Sequence, residues 1–177
     1  MKVTKQDIAS LLSGFSIEVT PASAQNIDSF ANHLPLNTSI NVTFLPGSNI
    51  DDTVNVSYRL HQEGFKPVPH LAARNFVNQK SLEQCLEQLT TIANVEEVLV
   101  IGGGLNAALG PYHSTLQILD SGLLEKYSIK KVGVAGHPEG SPDIPDLELA
   151  QALQDKNSWA RNSDVKVYIA SQFCFDA

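Results

Sequence analysis

Strand-like and helix-like segments alternate along the whole of this sequence, and the strands are apolar on one face only. Residues 15–20, 39–45, 65–72, 97–101, 131–135 and 165–175 read as six strands. Helical periodicity covers residues 51–63, 81–93, 115–127 and 146–160, and a short capped helix over residues 4–12 comes first. Pro21 leads a further helix, with Ile27, Phe30, Ala31 and Leu34 at i, i+3, i+4, i+7 spacing. Strands and helices at this spacing form βαβ units and a parallel sheet.

Side-chain parity decides which parallel sheet. In the first strand Phe15, Ile17 and Val19 oppose Ser16, Glu18 and Thr20. In the second, Ile40, Val42 and Phe44 oppose Asn41, Thr43 and Leu45, and in the sixth Val167, Ile169 and Phe173 oppose Tyr168, Ala170 and Gln172. A doubly wound sheet carries helices on both faces, so its strands are apolar on both. One apolar and one mixed face suit a (β/α)8 barrel of TIM type, with the apolar side under the outer helices and the polar side in the lumen. A complete barrel takes roughly 200 residues or more. These 177 residues therefore supply about six βα units, expected as a single partial barrel domain over residues 1–177.

Charge and composition exclude several classes. The net charge is −7, and Lys130-Lys131 is a pair rather than a basic patch, so no nucleic-acid partner is expected. No apolar run approaches the ~20 residues that span a membrane, and the first residues lack the apolar core of a signal peptide. A cytoplasmic protein is the expectation. Cys85 and Cys174 lack metal-type spacing, no pair of histidines has it, and no metal is expected. There is no P-loop and no G-x-S-x-G elbow.

Polar residues gather at the carboxyl ends of the strands, where barrel enzymes build their sites. They are Glu18, Thr20, Thr43, His70, the Gly102-Gly103-Gly104 turn, His137, Glu139 and Gln172. A carboxylate within an apolar strand is costly to bury charged, which would raise the pKa of Glu18 and suit a general acid. The alternative is a structural pair with Lys66 or Lys156. His70 follows Pro69 and reads either as a hydrogen-bonded core histidine or as a site residue. His137 precedes Pro138 in a rigid loop that serves a turn or a ligand. Gly102-Gly103-Gly104-Leu105-Asn106-Ala107 matches G-x-G-x-x-A in form. However, Gly110-Pro111 breaks the helix it should open, and the next strand ends in Ala135-Gly136 rather than an acid. The glycines still allow a flat ligand close to the backbone.

Several segments, in order, resemble one family. Ser16-Ile17-Glu18-Val19-Thr20-Pro21 is similar to S-F-E-x-x-P-P, and Asn41-Val42-Thr43-Phe44 to V-T-Y. Pro69-His70-Leu71 is similar to H-L, and residues 133–142 to G-V-A-G-Y-P-E-x-H-P. Leu153-Gln154-Asp155-Lys156 is similar to L-x-x-K, and residues 171–176 to T-Q-F-F-F-D. Together they resemble methylenetetrahydrofolate reductase, a flavin-dependent (β/α)8-barrel enzyme of one-carbon metabolism. The resemblance implies FAD at the carboxyl end of the barrel, reduced by NADH or NADPH, and hydride transfer that converts 5,10-methylenetetrahydrofolate to 5-methyltetrahydrofolate. It implies that Glu18 protonates the folate and that Gln172 contacts it. Thr43, His70, Gly102, Gly104, His137, Ser141 and Lys156 then fall at flavin positions. Gly104 stands where the family has an aspartate, His137 where it has an aromatic, and Ser141 where it has a histidine. These departures imply FAD held weakly or lost, with a folate-binding or methyl-transferring paralogue, or a non-catalytic barrel fragment, as the alternatives. Self-association is compatible with the sequence.

Overall fold

A computed structural model describes residues 3–45, 47–171 and 174. Among them the strands are β1 (Ser16–Val19), β2 (Ser39–Val42), β3 (Lys66–Ala72), β4 (Glu97–Ile101), β5 (Lys131–Gly136) and β6 (Lys166–Ser171). The helices are α1 (Lys5–Leu11), α2 (Pro21–Ala24), α3 (Ile50–Gln62), α4 (Gln79–Thr91), α5 (Thr115–Leu119), α6 (Leu123–Lys126) and α7 (Asp146–Asn162).

Every strand pairing is parallel, and the spatial order β1-β2-β3-β4-β5-β6 is the order of the chain. A doubly wound sheet reverses its order at a switch point, and this one does not. Each crossover steps in the same direction, so a single handedness places the connecting helices on one face. The burial pattern agrees. Ile40 and Val42, then Val98, Val100, Val132 and Val134, are buried in apolar clusters with helix residues such as Leu60, Leu82, Leu86 and Leu89. The opposite parity carries Glu18, Asn41, His70, Leu99 and Tyr168. The result is a curled six-stranded parallel sheet, a half-barrel, with helices on its convex side.

Local signals account for most helix ends. Asn49 caps α3 by accepting from the Asp51 amide at 3.1 Å. Asp51 and Asp52 occupy its first turn and Arg59 and His61 its last, which complements the helix dipole. Gly64, at φ +88°, ends that helix in the left-handed region. Asn78 caps α4 by accepting from Ser81 at 2.9 Å, and α4 buries Leu82, Cys85, Leu86 and Leu89 along one face.

Two helices differ from expectation. The helix led by Pro21 stops at Ala24, and only a 3-10 turn follows at Phe30–Asn32. The Arg59 guanidinium, from α3, donates to the Ala24 carbonyl at 2.9 Å, the Asp28 carbonyl at 3.0 Å and also the Ile27 carbonyl. Glu63 accepts from the Phe30 amide at 2.7 Å. Side chains of α3 and of the residue that follows it thus satisfy backbone groups that a continuing helix would have used itself. The helix expected over residues 115–127 is two short helices, because Gly122 turns the chain at φ +69°.

Packing is uneven along the sheet. The main core lies between β3–β5 and helices α4–α6, and a second cluster lies under β1 and β2, where Phe30 meets Phe65 edge-on at 6.1 Å. By contrast α7 has no buried residue, and Leu147 and Leu153 on it are exposed. Among the described residues no helix is long and apolar enough to cross a membrane.

Candidate active site

The concave face has a floor and a rim. At the floor, Glu97 on β4 and Lys131 on β5 pair at 3.1 Å, and Lys131 lies 4.4 Å from the centre of the Tyr168 ring on β6. Burial first, and Glu97 second, push the Tyr168 phenol above its ordinary pKa. Tyr168 lies across Gly133, where an added Cβ would stand 2.6 Å from Cζ and 2.7 Å from a methyl of Leu99. Glycine on β5 therefore makes room for the aromatic floor.

At the rim over β1–β3, Glu18, Thr43 and His70 hold three of the expected positions. Register aligns Glu18 with Asn41 and Asn41 with Val68, and His70 lies two residues further along β3. Thr43, just past β2, donates its backbone N–H to the Val19 carbonyl at 2.9 Å, and its Oγ1 is buried without a partner. His70 is buried, its Nε2 has no hydrogen-bond partner, and that atom lies 3.8 Å from Glu18 Oε2. This is within electrostatic reach and beyond a hydrogen bond. Burial lowers the His70 pKa, and the nearby Glu18 partly offsets it.

Glu18 itself departs from expectation. Its side chain is 60% exposed, because it faces the side of the sheet that carries no helix. No described residue forms a layer over the carboxyl. Neither lysine considered as its partner serves: its ionisable neighbour is His70, and Lys156 is engaged elsewhere.

Four more of the expected residues meet in a cleft of about 930 Å³ at the ends of β4–β6, beneath α7. Gly102, His137, Glu139 and Lys156 line it together with Arg74, Leu149, Ile169 and Cys174. Lys156 donates from Nζ to the Ala135 carbonyl at 2.8 Å, and burial lowers its pKa. Gly102 has open space where a Cβ would stand. Glu18, Thr43 and His70 do not line this cleft, so the expected site falls into two parts. Gly104 occupies an exposed bend, and Ser141 forms a small bridge with Ile144. Neither lines the cleft, and Gln172 lies outside the described residues.

No family model matches the chain.

Arg74 and Asn41 complete the scaffold. Arg74 donates to the His113 carbonyl at 3.1 Å and the Leu105 carbonyl at 2.9 Å. Its own backbone N–H donates to the Gly102 carbonyl at 3.0 Å. It thereby ties the glycine turn and the long β4–α5 connection into one wall. That connection starts no helix until Thr115, which is why the G-x-G-x-x-A match is not a dinucleotide turn. Asn41 spans β1 and β2, donating to the Ile17 carbonyl at 3.4 Å. Strand parity marks Asn41 as lumen-facing, whereas nothing local marks Arg74, whose partners are distant backbone carbonyls. Among the described residues there is no cluster of three side chains that would hold a metal ion.

Proposed function

We propose that the chain is a flavin-dependent oxidoreductase of the methylenetetrahydrofolate reductase type, reducing 5,10-methylenetetrahydrofolate to 5-methyltetrahydrofolate, with β1–β6 as six strands of a (β/α)8 barrel. The observation that carries the reading is the rim pair: an open carboxyl, Glu18, beside a buried histidine whose Nε2 lacks a partner. Sequential strand order, one-sided helices and curl support the barrel.

The residues suit a flavin. Thr43 Oγ1 is a polar atom left unpartnered at the rim. Gly102 leaves the wall of the cleft bare, and Lys156 offers a half-buried ammonium that donates to a backbone carbonyl. His137 closes the cleft at the end of β5. A bound FAD supplies hydride chemistry, with NADH or NADPH as the source. The chain supplies placement and a proton. Thr43, His137 and Lys156 would hold the cofactor, Glu18 would give a proton to a folate nitrogen as the methylene bridge opens, and Gln172 would contact the folate.

A second reading, a folate-binding paralogue without flavin, is favoured by Gly104, an exposed bend with no side chain where an acid is expected. One experiment separates them: the visible absorption spectrum of the purified chain before and after adding FAD and desalting. A retained flavin spectrum that NADH or NADPH bleaches, and that methylenetetrahydrofolate restores, is the expected result. A folded protein that retains no flavin refutes the reductase, and folate binding by that same protein establishes the paralogue.

A further inference from the structure

Glu18 and His70 reach each other from strands that are not neighbours. β2 lies between them in the sheet, and only small uncharged side chains, Asn41 and Thr43, occupy that face of β2 at this level. The curl lets the two longer side chains close over it. The pair is unequal: the ring of His70 is 6% exposed, whereas the Glu18 side chain is 60% exposed and free to turn.

We propose that His70 is a positioning residue for Glu18: as a neutral imidazole protonated at Nε2, it donates to the Glu18 carboxyl and fixes its direction. This rests on the reading of Glu18 as the acid of the reductase. It gives His70 a task distinct from touching the flavin. Among the described residues that face His70, Glu18 is the carboxylate left to accept from it. β1 presents Glu18, and β2 presents Asn41 and Thr43. β4 presents Leu99, the register partner of His70, and then Glu97, which is occupied by Lys131. α3 packs behind the sheet. Burial outweighs the attraction of Glu18 and holds the ring pKa below the ordinary histidine value, so the ring is neutral near pH 7.

Closing the gap from 3.8 Å to a hydrogen bond of roughly 2.8 Å needs only a turn of the exposed Glu18 side chain. Catalytic hydrogen bonds are often long before substrate binds. The proton balance is simple. The Glu18 carboxyl proton passes to the lone pair of a folate nitrogen, the carboxylate left behind accepts a charge-assisted hydrogen bond from Nε2–H, and solvent later returns the proton to Glu18. His70 neither gains nor loses a proton.

Glutamine and asparagine tell the ring nitrogens apart, since the amide nitrogen of glutamine reaches the place of Nε2 and that of asparagine the place of Nδ1. In His70→Asn the folate half-reaction should slow by about ten-fold or more, the scale of one lost charge-assisted hydrogen bond, while flavin reduction changes less than about two-fold. His70→Gln should recover most of that loss. Equal defects in the two variants, or parallel loss of both half-reactions, would overturn the proposal in favour of a flavin contact. Nitrogen-15 NMR of the histidine rings gives a readout independent of turnover. The expected result is an Nε2–H tautomer for His70 near pH 7, with an inflection from the carboxyl that Glu18→Gln removes. An Nδ1–H tautomer, or an unchanged titration in Glu18→Gln, sinks it. If the wild-type chain reduces no folate, the reductase reading fails, and the NMR result still decides the pair.

Discussion

Replacing Gly110 by alanine tests whether the wall of the cleft is built as described. A Cβ at Gly110 would stand 2.3 Å from the Val77 carbonyl oxygen, 2.4 Å from its carbon and 2.5 Å from the Phe76 carbonyl oxygen. These are backbone atoms, so no side chain can rotate away. The opposing β3–α4 connection is anchored as well, because Phe76 is 3% exposed and its N–H donates to the Ala73 carbonyl at 3.1 Å. The overlap is roughly 1 Å against ordinary van der Waals contact. Relief requires the β4–α5 connection to lift, which strains or breaks the bond from the Leu109 amide to the Arg74 carbonyl at 2.9 Å. Overpacking of this kind costs about 1–3 kcal/mol, and a lost backbone hydrogen bond about 1 kcal/mol more. For a chain of this size the sum of about 2–4 kcal/mol lowers Tm by roughly 5–15 °C. Thermal unfolding followed by circular dichroism, wild type against Gly110→Ala, reads this directly. A shift smaller than about 2 °C would mean that the connection does not lie against residues 76 and 77 as the structure has it.

The neighbouring glycine makes the converse prediction: Gly102→Ala has open space for its Cβ, so Tm should stay within about 2 °C while retention of FAD on desalting falls. Burial pushes the Cys85 thiol up to about 12, whereas Cys174 is partly exposed; a thiol reagent at pH 8 should therefore label Cys174 in the folded chain and reach Cys85 only in denaturant. The lowered folded-state pKa of His70 means that the unfolded chain binds the extra proton more readily. Its contribution to stability is complete above about pH 6.5, the unfolded value, and is lost as pH falls from there toward the lowered folded value. Tm measured between pH 7.5 and pH 5 should fall less steeply in His70→Gln than in the wild type.

The half-barrel was legible because its signal is local. A period of two in Ile40, Asn41, Val42 and Thr43 reports which side chains face helices, and β4 begins one residue before its apolar run and ends with it. What was illegible depends on partners far along the chain. The helix begun at Pro21 has good periodicity, but Arg59 takes its carbonyls and ends it. Glu18 reads as a buried carboxylate because apolar residues flank it, yet burial also needs a layer above, and the described residues place none there. The approach of Glu18 to His70 across β2 depends on sheet curl, which no pattern within one strand encodes. Likewise Thr43, His70 and Lys156 carry one expected role but occupy two places, because α7 lifts Lys156 over the ends of β5 and β6.

That division bears on what can occupy the site. Neighbouring parallel strands stand about 4.8 Å apart, so the path from β1 to β6 along the sheet is roughly 24 Å, shortened by the curl. A small substrate at Glu18 therefore cannot also fill the cleft under α7. Chemistry that uses both needs either one long ligand or two ligands that meet over the concave face. On the proposed reading, a dinucleotide in the cleft whose ring reaches the rim, with a folate set against Glu18, would satisfy both halves at once. A folate alone would engage Glu18 and leave Gly102, His137 and Lys156 without a task. Lys156→Ala discriminates between these arrangements. If both halves serve one reaction, it should weaken retention of FAD and leave the Glu18–His70 titration as in the wild type; if it disturbs that titration instead, the two halves are coupled through the sheet rather than through a shared ligand.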